Sequence, residues 1–164
     1  MSPLHHFTVL VHVLSAVVWL GGMIAFALLA PVMRDIRDDS IRQKLFHDLG
    51  RRFRTIGWIC AGLLLVTGMV QLRLSGWWGM DVLGSEGFWQ TALGGTLFGK
   101  LASVTVMVVV QLVHDFWLGP KAGAVEAGTD LARSLRRRAA LLARTNAFVG
   151  LVLLYFAVSL ARGL

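Results

Sequence analysis

The stretch FTVLVHVLSAVVWLGGMIAFALLAPVM, residues 7–33, decides the fold class of this chain. It contains no Asp, Glu, Lys or Arg and is longer than the roughly 20 apolar residues that a helix needs to cross a bilayer. Residues 1–7 also carry no Lys or Arg, and the apolar run is too long for the core of a signal peptide. The sequence therefore predicts a transmembrane helix that is retained in the mature protein.

Three further apolar runs follow, at residues 53–74, 98–118 and 141–160. Each is long enough to cross about 30 Å of hydrocarbon at about 1.5 Å per residue. With 56% hydrophobic and only 15% charged residues, the chain also lies outside the composition of soluble domains. We predict an all-α integral membrane protein whose residues 1–164 form one transmembrane domain, a four-helix bundle running up-down-up-down.

The formal net charge of +7 is concentrated in two segments between the predicted helices. Of the 16 Lys and Arg residues, 13 lie between the first and second apolar runs, between the third and fourth, or within the first four residues of the second and fourth runs. This distribution indicates membrane topology and argues against nucleic acid as a partner. Residues 75–96, in contrast, have no Lys or Arg and are rich in tryptophan. We therefore predict a multi-pass protein of the bacterial inner membrane with both basic segments cytoplasmic and both termini periplasmic.

Two local patterns indicate how the helices begin and pack. Ser40 and Gln43 have capping-box spacing, and apolar residues then recur every four positions, which predicts an amphipathic cytoplasmic helix over about residues 40–52 along the lipid headgroups. Pairs of small residues four apart indicate close helix contacts; these pairs are Gly21 with Ala25, Gly57 with Ala61, and Gly99 with Ser103.

Helix one carries a stripe of potential ligands. At about 100° per residue, a stripe roughly 60° wide contains His5, His12, Ala16, Trp19 and Met23. Because an ionisable side chain in lipid costs at least about 2.5 kcal/mol, His12 is expected to face the protein interior or a wet cavity.

Helix three carries a second stripe, roughly 80° wide, made of Lys100, Ser103, Met107, Gln111 and His114. At about 1.5 Å per residue, His12 and Lys100 are expected near the outer edge of the membrane and His114 near the inner edge. One haem held by His12 and His114 is excluded, because the two differ in depth by about 18 Å.

Histidine paired with methionine remains feasible at either depth. The candidates around His12 are Thr67, Gln71, Lys100, Ser103 and Met107, and those around His114 are Met23, Gln111, Asp115, Arg144 and Asn146. Imidazole and thioether suit Cu(I), and the same pair serves as axial ligands of haem b. The residue types leave copper, haem and plain interior packing open. Cys60 is the only cysteine, so an internal disulfide or a CxxC motif is excluded, and the sequence has no Ser-His-Asp arrangement, paired catalytic carboxylates or HExxH motif.

The order of several short motifs resembles the copper-resistance D (CopD) family and the related HemJ-type protoporphyrinogen oxidases. The motifs are His12 followed by WLGG at 19–22, RFR at 52–54 leading to Thr67 and Gly68, GKL at 99–101, HDFWLGP at 114–120, and Arg144 with Asn146. The resemblance covers most of the chain.

The CopD resemblance implies an inner-membrane protein that handles periplasmic copper, by capture, import or resistance, with His12 among the ligands. The HemJ resemblance implies haem b and protoporphyrinogen oxidation, with His12 and Lys100 at that family's His and Lys positions; an enzyme of this kind would be a haem-dependent oxidoreductase. A cofactor-free assembly subunit is the third alternative. Expected partners are the lipid bilayer, a copper ion or haem, and either a second copy of the chain or a periplasmic copper-binding protein.

If copper is handled, the potential ligands suggest a line of weak sites. This line, termed the relay below, consists of His5, His12, Met107, Met23 and His114, in steps of roughly 6 to 11 Å on straight helices. Such steps are too wide for one metal site and would suit Cu(I) passing between sites in succession.

Overall fold

The computed structural model describes residues 2–125 and 129–163, and the regular secondary structure in these ranges is entirely helical. The helices are α1 Pro3–Arg34, α2 Asp39–Leu74, α3 Met80–Leu83, α4 Glu86–Trp89, α5 Ala92–Leu112, a π-helix at Val113–Leu118, α6 Gly119–Ala124 and α7 Asp130–Ala161. Four helical spans are long and apolar enough to cross a membrane; these are Pro3–Arg34, Ser40–Leu74, Ala92–Ala122 and Asp130–Ala161. The predicted all-α class with four membrane-spanning helices is confirmed. Residues 126–128, in the second basic segment, lie outside the described residues.

The helices extend well beyond the apolar runs. The segment 40–52, expected as an amphipathic helix leading into helix two, is the first part of the single continuous helix α2. Likewise, α7 begins at Asp130, about three turns before the apolar run that predicted it. Hydropathy marks only the part of a helix that crosses lipid, whereas the helix itself continues into water until a cap ends it.

Polar N-caps fix the starts of the long helices. Ser2, Thr91 and Thr129 each accept a hydrogen bond from the backbone N–H three residues later, at the starts of α1, α5 and α7. At α2 the cap is Asp38, whose carboxylate accepts from the backbone N–H groups of Ser40 and Ile41. The capping-box prediction at Ser40 was therefore displaced by two residues, because a carboxylate is an equally strong cap and lies earlier in the chain.

The chain divides into two compact units, residues 1–82 and 83–164. The first is the antiparallel pair of α1 and α2. Gly22 of α1 lies against the ring of Phe53, and His12 contacts Thr67 further along α2. The core of this unit therefore runs along one stripe of each helix, and the opposite faces remain exposed.

The second unit is built on the antiparallel pair of α5 and α7. Gly99 lies against the ring of Phe156 near one end of this pair, and Gln111 bonds Asn146 near the other. The tryptophan-rich segment before α5 is held by a hydrogen bond of 2.9 Å from the indole of Trp89 to the carbonyl of Leu83.

The surfaces of the long helices are apolar. On α1, for example, Leu10, Val17 and Leu28 are 56%, 62% and 69% exposed. Exposed aliphatic side chains along a long helix are what a lipid-facing surface requires. Among the residues that the structure describes, seven polar side chains are buried instead: Thr8, Ser15, Thr67, Ser103, Gln111, Asp115 and Asn146.

Candidate functional site

His12 is held by a hydrogen bond from α2 in the first unit. Its Nδ1 atom lies 2.8 Å from the hydroxyl oxygen of Thr67. That hydroxyl also lies 2.6 Å from the carbonyl oxygen of Leu63, which can only accept. The Thr67 proton is therefore directed to Leu63, so the Thr67 oxygen accepts from Nδ1–H of His12. This assignment places the imidazole electron pair on Nε2, the atom that binds a metal.

The ring of His12 lies against Gly68 of α2, and Gln71 of the same helix bonds the α1 backbone one turn before His12. A Cβ atom on Gly68 would be 3.6 Å from Cε1 of His12. One turn further along α2, the side-chain amide of Gln71 donates to the carbonyl of Thr8 at 3.4 Å. Thr67 and Gln71, both expected from the sequence, thus lie in this unit with His12.

The remainder of the α1 stripe is packed in the core of the first unit. Trp19 and Met23 are buried, at 4% and 8% exposure. Met23 lies eleven residues after His12, a separation of about 16 Å along the helix, and therefore belongs to a different level. The indole N–H of Trp19 has no hydrogen-bond acceptor among the described residues, and a Cβ on Gly57 would lie 3.5 Å from it.

Four polar side chains form a hydrogen-bonded chain in the second unit. The amide of Asn146 donates to Gln111 at 3.1 Å, and the amide of Gln111 donates to Asp115 at 2.6 Å. The other carboxylate oxygen of Asp115 lies 2.9 Å from Nδ1 of His114. Asn146, Gln111 and Asp115 are all buried, whereas the His114 side chain is 34% exposed. We call these four residues the Asp115 network.

The Asp115 network is internally consistent because a carboxylate only accepts hydrogen bonds. Asp115 requires the NH₂ group of Gln111 to face it, so the oxygen of Gln111 faces Asn146, which must present its own NH₂ group. The same carboxylate requires His114 to present Nδ1–H. His114 and His12 therefore carry their electron pair, when neutral, on the same atom, Nε2.

A π-helix explains why Asp115 rather than His114 is buried. The buried stripe of α5 runs Ser103, Met107, Gln111, and at α-helical spacing His114 continues it more closely than Asp115 does. From Val113 the backbone is π-helical, with wider turns, so each residue advances less around the axis. This brings Asp115 under Gln111 and turns His114 toward the surface. The sequence contained no signal for the π-helix.

The other predicted ligands lie outside the hydrogen bonds that join His12 to Thr67 and that form the Asp115 network. Lys100 is half-buried on α5, Arg144 is exposed on α7, and Met107, at 1% exposure, is enclosed in the core of the second unit. Met107 precedes His114 by seven residues, about 10 Å along the helix. His5 is half-buried in the first turns of α1.

No group of three or more His, Cys, Asp or Glu side chains is placed to hold a metal in the part of the chain that the structure describes. His12 and His114 are each oriented by one side-chain hydrogen bond, to Thr67 and Asp115 respectively.

Comparison with known proteins identifies relatives of this chain. A family model described as Copper resistance protein D matches residues 47–160, which include Thr67 and the whole Asp115 network. A protein of Aquifex aeolicus (strain VF5), described as an uncharacterized protein, is 33% identical over 113 residues, which are 68% of each chain. No solved structure matches.

Proposed function

The chain belongs to the copper resistance protein D family, and from this membership and the geometry of His12 we propose that it handles copper ions at the membrane. Cu(I) is the substrate, captured on the periplasmic side through Nε2 of His12 for import or resistance. The predicted membrane topology and the soft donors of α1 support this assignment.

The observation that carries the proposal is the hydrogen bond from His12 to Thr67. Because the Thr67 oxygen accepts a hydrogen bond from Nδ1–H, the proton stays on Nδ1 and Nε2 keeps the electron pair without a change of tautomer. Partners of this kind are worth about 10- to 100-fold in metal affinity at histidine sites. Thr67 lies within the residues that match the family, whereas His12 lies before them.

In this proposal copper passes along the relay. Its members in the first unit are His5, His12 and Met23, and those in the second are Met107 and His114. Replacing Met107 by Leu preserves volume and removes the sulfur. Reduced copper uptake at normal protein abundance would support the relay, whereas unchanged uptake would eliminate Met107 from it and leave His12 as the capture ligand.

Haem b is the second candidate ligand, favoured by the bond between His114 and Asp115. A carboxylate on Nδ1–H orients an imidazole as an axial ligand requires, and Nε2 of His114 would then hold the iron. Haem would supply electron transfer for an oxidase of the HemJ type. The residues at this end of α5 fit the imidazole requirement, with Asp115 and Gln111 fixing the ring.

The proposed function is tested by copper accumulation in cells that express the protein. We expect His12→Asn to abolish the protein-dependent part of the accumulation. The matched control is His47→Asn, because His47 is an exposed histidine that belongs neither to the His12–Thr67 pair nor to the Asp115 network. Equal accumulation in wild type and His12→Asn, at equal abundance, would overturn the proposal.

The absorption spectrum of the purified protein separates the two ligands. A colourless sample that binds Cu(I) supports the copper assignment. A Soret band that disappears in His12→Asn or in His114→Asn would instead establish the haem alternative and identify which histidine holds the iron. A protein that shows neither property would be a cofactor-free assembly subunit.

A further inference from the structure

An open groove of about 360 Å³ lies on α2 where the helix changes from charged to apolar sequence. It is lined by Arg51, Arg52, Thr55 and Ile56. Before it, the helix carries basic and acidic side chains, and after it the sequence is IGWICAGLLLVTGMV. The groove is therefore placed at the boundary between headgroups and hydrocarbon on this helix.

The groove faces away from α1. The contacts of α2 with α1 run through Phe53, Gly57 and Thr67. At about 100° per residue, the centre of the groove lies roughly 130° around the helix from the centre of these contacts. The groove is therefore centred on a side of α2 turned away from these contacts.

The positive charge in the groove is poorly neutralised by the protein. The guanidinium of Arg51 approaches Asp48 only at 3.8 Å, with both side chains exposed, and such surface pairs contribute little. Arg52 makes no ion pair with a described residue. The hydroxyl of Thr55 already donates its proton to the carbonyl of Arg51, at 3.2 Å. The donors that the groove offers to an anion are therefore the guanidinium groups of Arg51 and Arg52.

An apolar track continues from the groove along the same face of α2. It consists of Ile56, Ile59, Leu63 and Val66, which are 47%, 58%, 41% and 56% exposed. Spacings of three and four residues keep these side chains in line. The track is about 15 Å long, which is half the thickness of a hydrocarbon core of about 30 Å.

We propose that this groove and track bind one acidic phospholipid. The phosphate is held by Arg51 and Arg52, because guanidinium groups bind phosphate with paired hydrogen bonds. An acyl chain lies along Ile56, Ile59 and Leu63. The apolar track favours a lipid over free phosphate, since a soluble anion gains nothing from exposed isoleucines. The site is independent of the copper proposal.

Native mass spectrometry of the purified full-length protein tests the site. Phosphatidylglycerol and phosphatidylcholine with identical chains are titrated in turn. We expect preferential retention of phosphatidylglycerol, weakened about 25-fold by Arg51→Gln with Arg52→Gln, since each basic residue near an anionic surface contributes about fivefold. The matched control is Arg137→Gln with Arg138→Gln, an adjacent exposed pair on α7, which should leave retention unchanged.

A second variant tests the track without altering charge. Ile59→Thr should weaken retention of long-chain phosphatidylglycerol and leave short-chain phosphatidylglycerol unaffected. The proposal is overturned if the two lipids are retained equally, or if both arginine pairs matter equally, which would indicate general charge attraction. Displacement of the lipid by millimolar inorganic phosphate would also overturn it, in favour of a simple anion site.

Discussion

At the scale of the residue, the two units fix a histidine by the same atom but through different acceptors. His12 donates from Nδ1 to the neutral hydroxyl of Thr67, and His114 donates to the carboxylate of Asp115. Hydrogen bonds to a charged acceptor are roughly twice as strong as those between neutral groups. His114 is therefore held more firmly than His12, which fits a capture ligand at His12 and a structural anchor at Asp115.

The Asp115 network gives a prediction about stability. Asp115→Asn introduces an NH₂ group where both neighbours donate, so one buried donor loses its acceptor. We expect a loss of about 1 to 3 kcal/mol in unfolding free energy, seen as a lower midpoint in thermal unfolding of the detergent-solubilised protein. The control Asp130→Asn removes an exposed acidic residue at the start of α7 and should shift the midpoint little. Equal shifts in both variants would contradict the network.

The sequence predicted most of these residues but misplaced one. A regular helical wheel brought Gln111 and His114 to one stripe, and the structure confirms Gln111 as buried. The helical wheel could not show that Asp115, and not His114, takes the buried position after Gln111. That change is caused by π-helical winding, whose i→i+5 hydrogen bonds leave no pattern in the sequence.

At the scale of the element, glycine decides how closely helices pack, and the pairs of small residues were only partly right. Gly57 and Ala61 are buried on the α1 side of α2, and Gly99 lies against Phe156. On α1, however, it is Gly22 that lies against α2, while Gly21 has open space around its Cβ position. The spacing rule finds two small residues four apart but does not determine which face of the helix is in contact.

The two neighbouring glycines of α1 form a matched test. A Cβ on Gly22 would collide with the ring of Phe53, so Gly22→Ala should destabilise the first unit by about 1 to 3 kcal/mol. Gly21→Ala should be neutral or stabilising by up to about 1 kcal/mol, because alanine favours the helix. Unfolding of both variants in the same detergent measures the difference. The packing of α1 on α2 is wrong if Gly21→Ala is the more harmful change.

The cap of α2 predicts a pH dependence at its first turn. A hydrogen bond from the Ser40 hydroxyl, supported by the backbone N–H groups of Ile41 and Ser40 and by Arg42, lowers the pKa of Asp38 below its ordinary value of 3.8. Because the pKa is lower in the folded state, the ionised carboxylate stabilises the fold above the unfolded-state pKa of 3.8. This stabilisation is lost as the pH falls through the folded-state pKa.

Amide exchange of Ser40 and Ile41 is the appropriate measurement for this cap. Protection relative to the intrinsic rate should be constant at higher pH and should fall below pH 3.8. Asp38→Asn keeps a good cap without a titrating group, so its protection should not depend on pH. A pH dependence that survives in Asp38→Asn would assign the effect to another group.

At the scale of the whole molecule, hydropathy was sufficient to predict four helices long and apolar enough to cross a membrane, and the family match agrees with the CopD resemblance found in the motifs. Neither shows the sidedness. The distribution of 13 of 16 basic residues in two segments predicts that both termini are periplasmic. An alkaline phosphatase reporter fused after Gly163 should be active, and one fused after Ala122 should be inactive. The reverse pattern would invert the predicted topology and place His12 near the cytoplasm.

The central claim is that His12, oriented by Thr67, captures Cu(I). It is tested most directly by titrating the purified protein with Cu(I) against a competing chelator. We expect a Cu(I)-binding step that His12→Asn abolishes, that Thr67→Val weakens about 10- to 100-fold, and that His47→Asn leaves unchanged. Binding that is the same in wild type, His12→Asn and Thr67→Val would contradict the account.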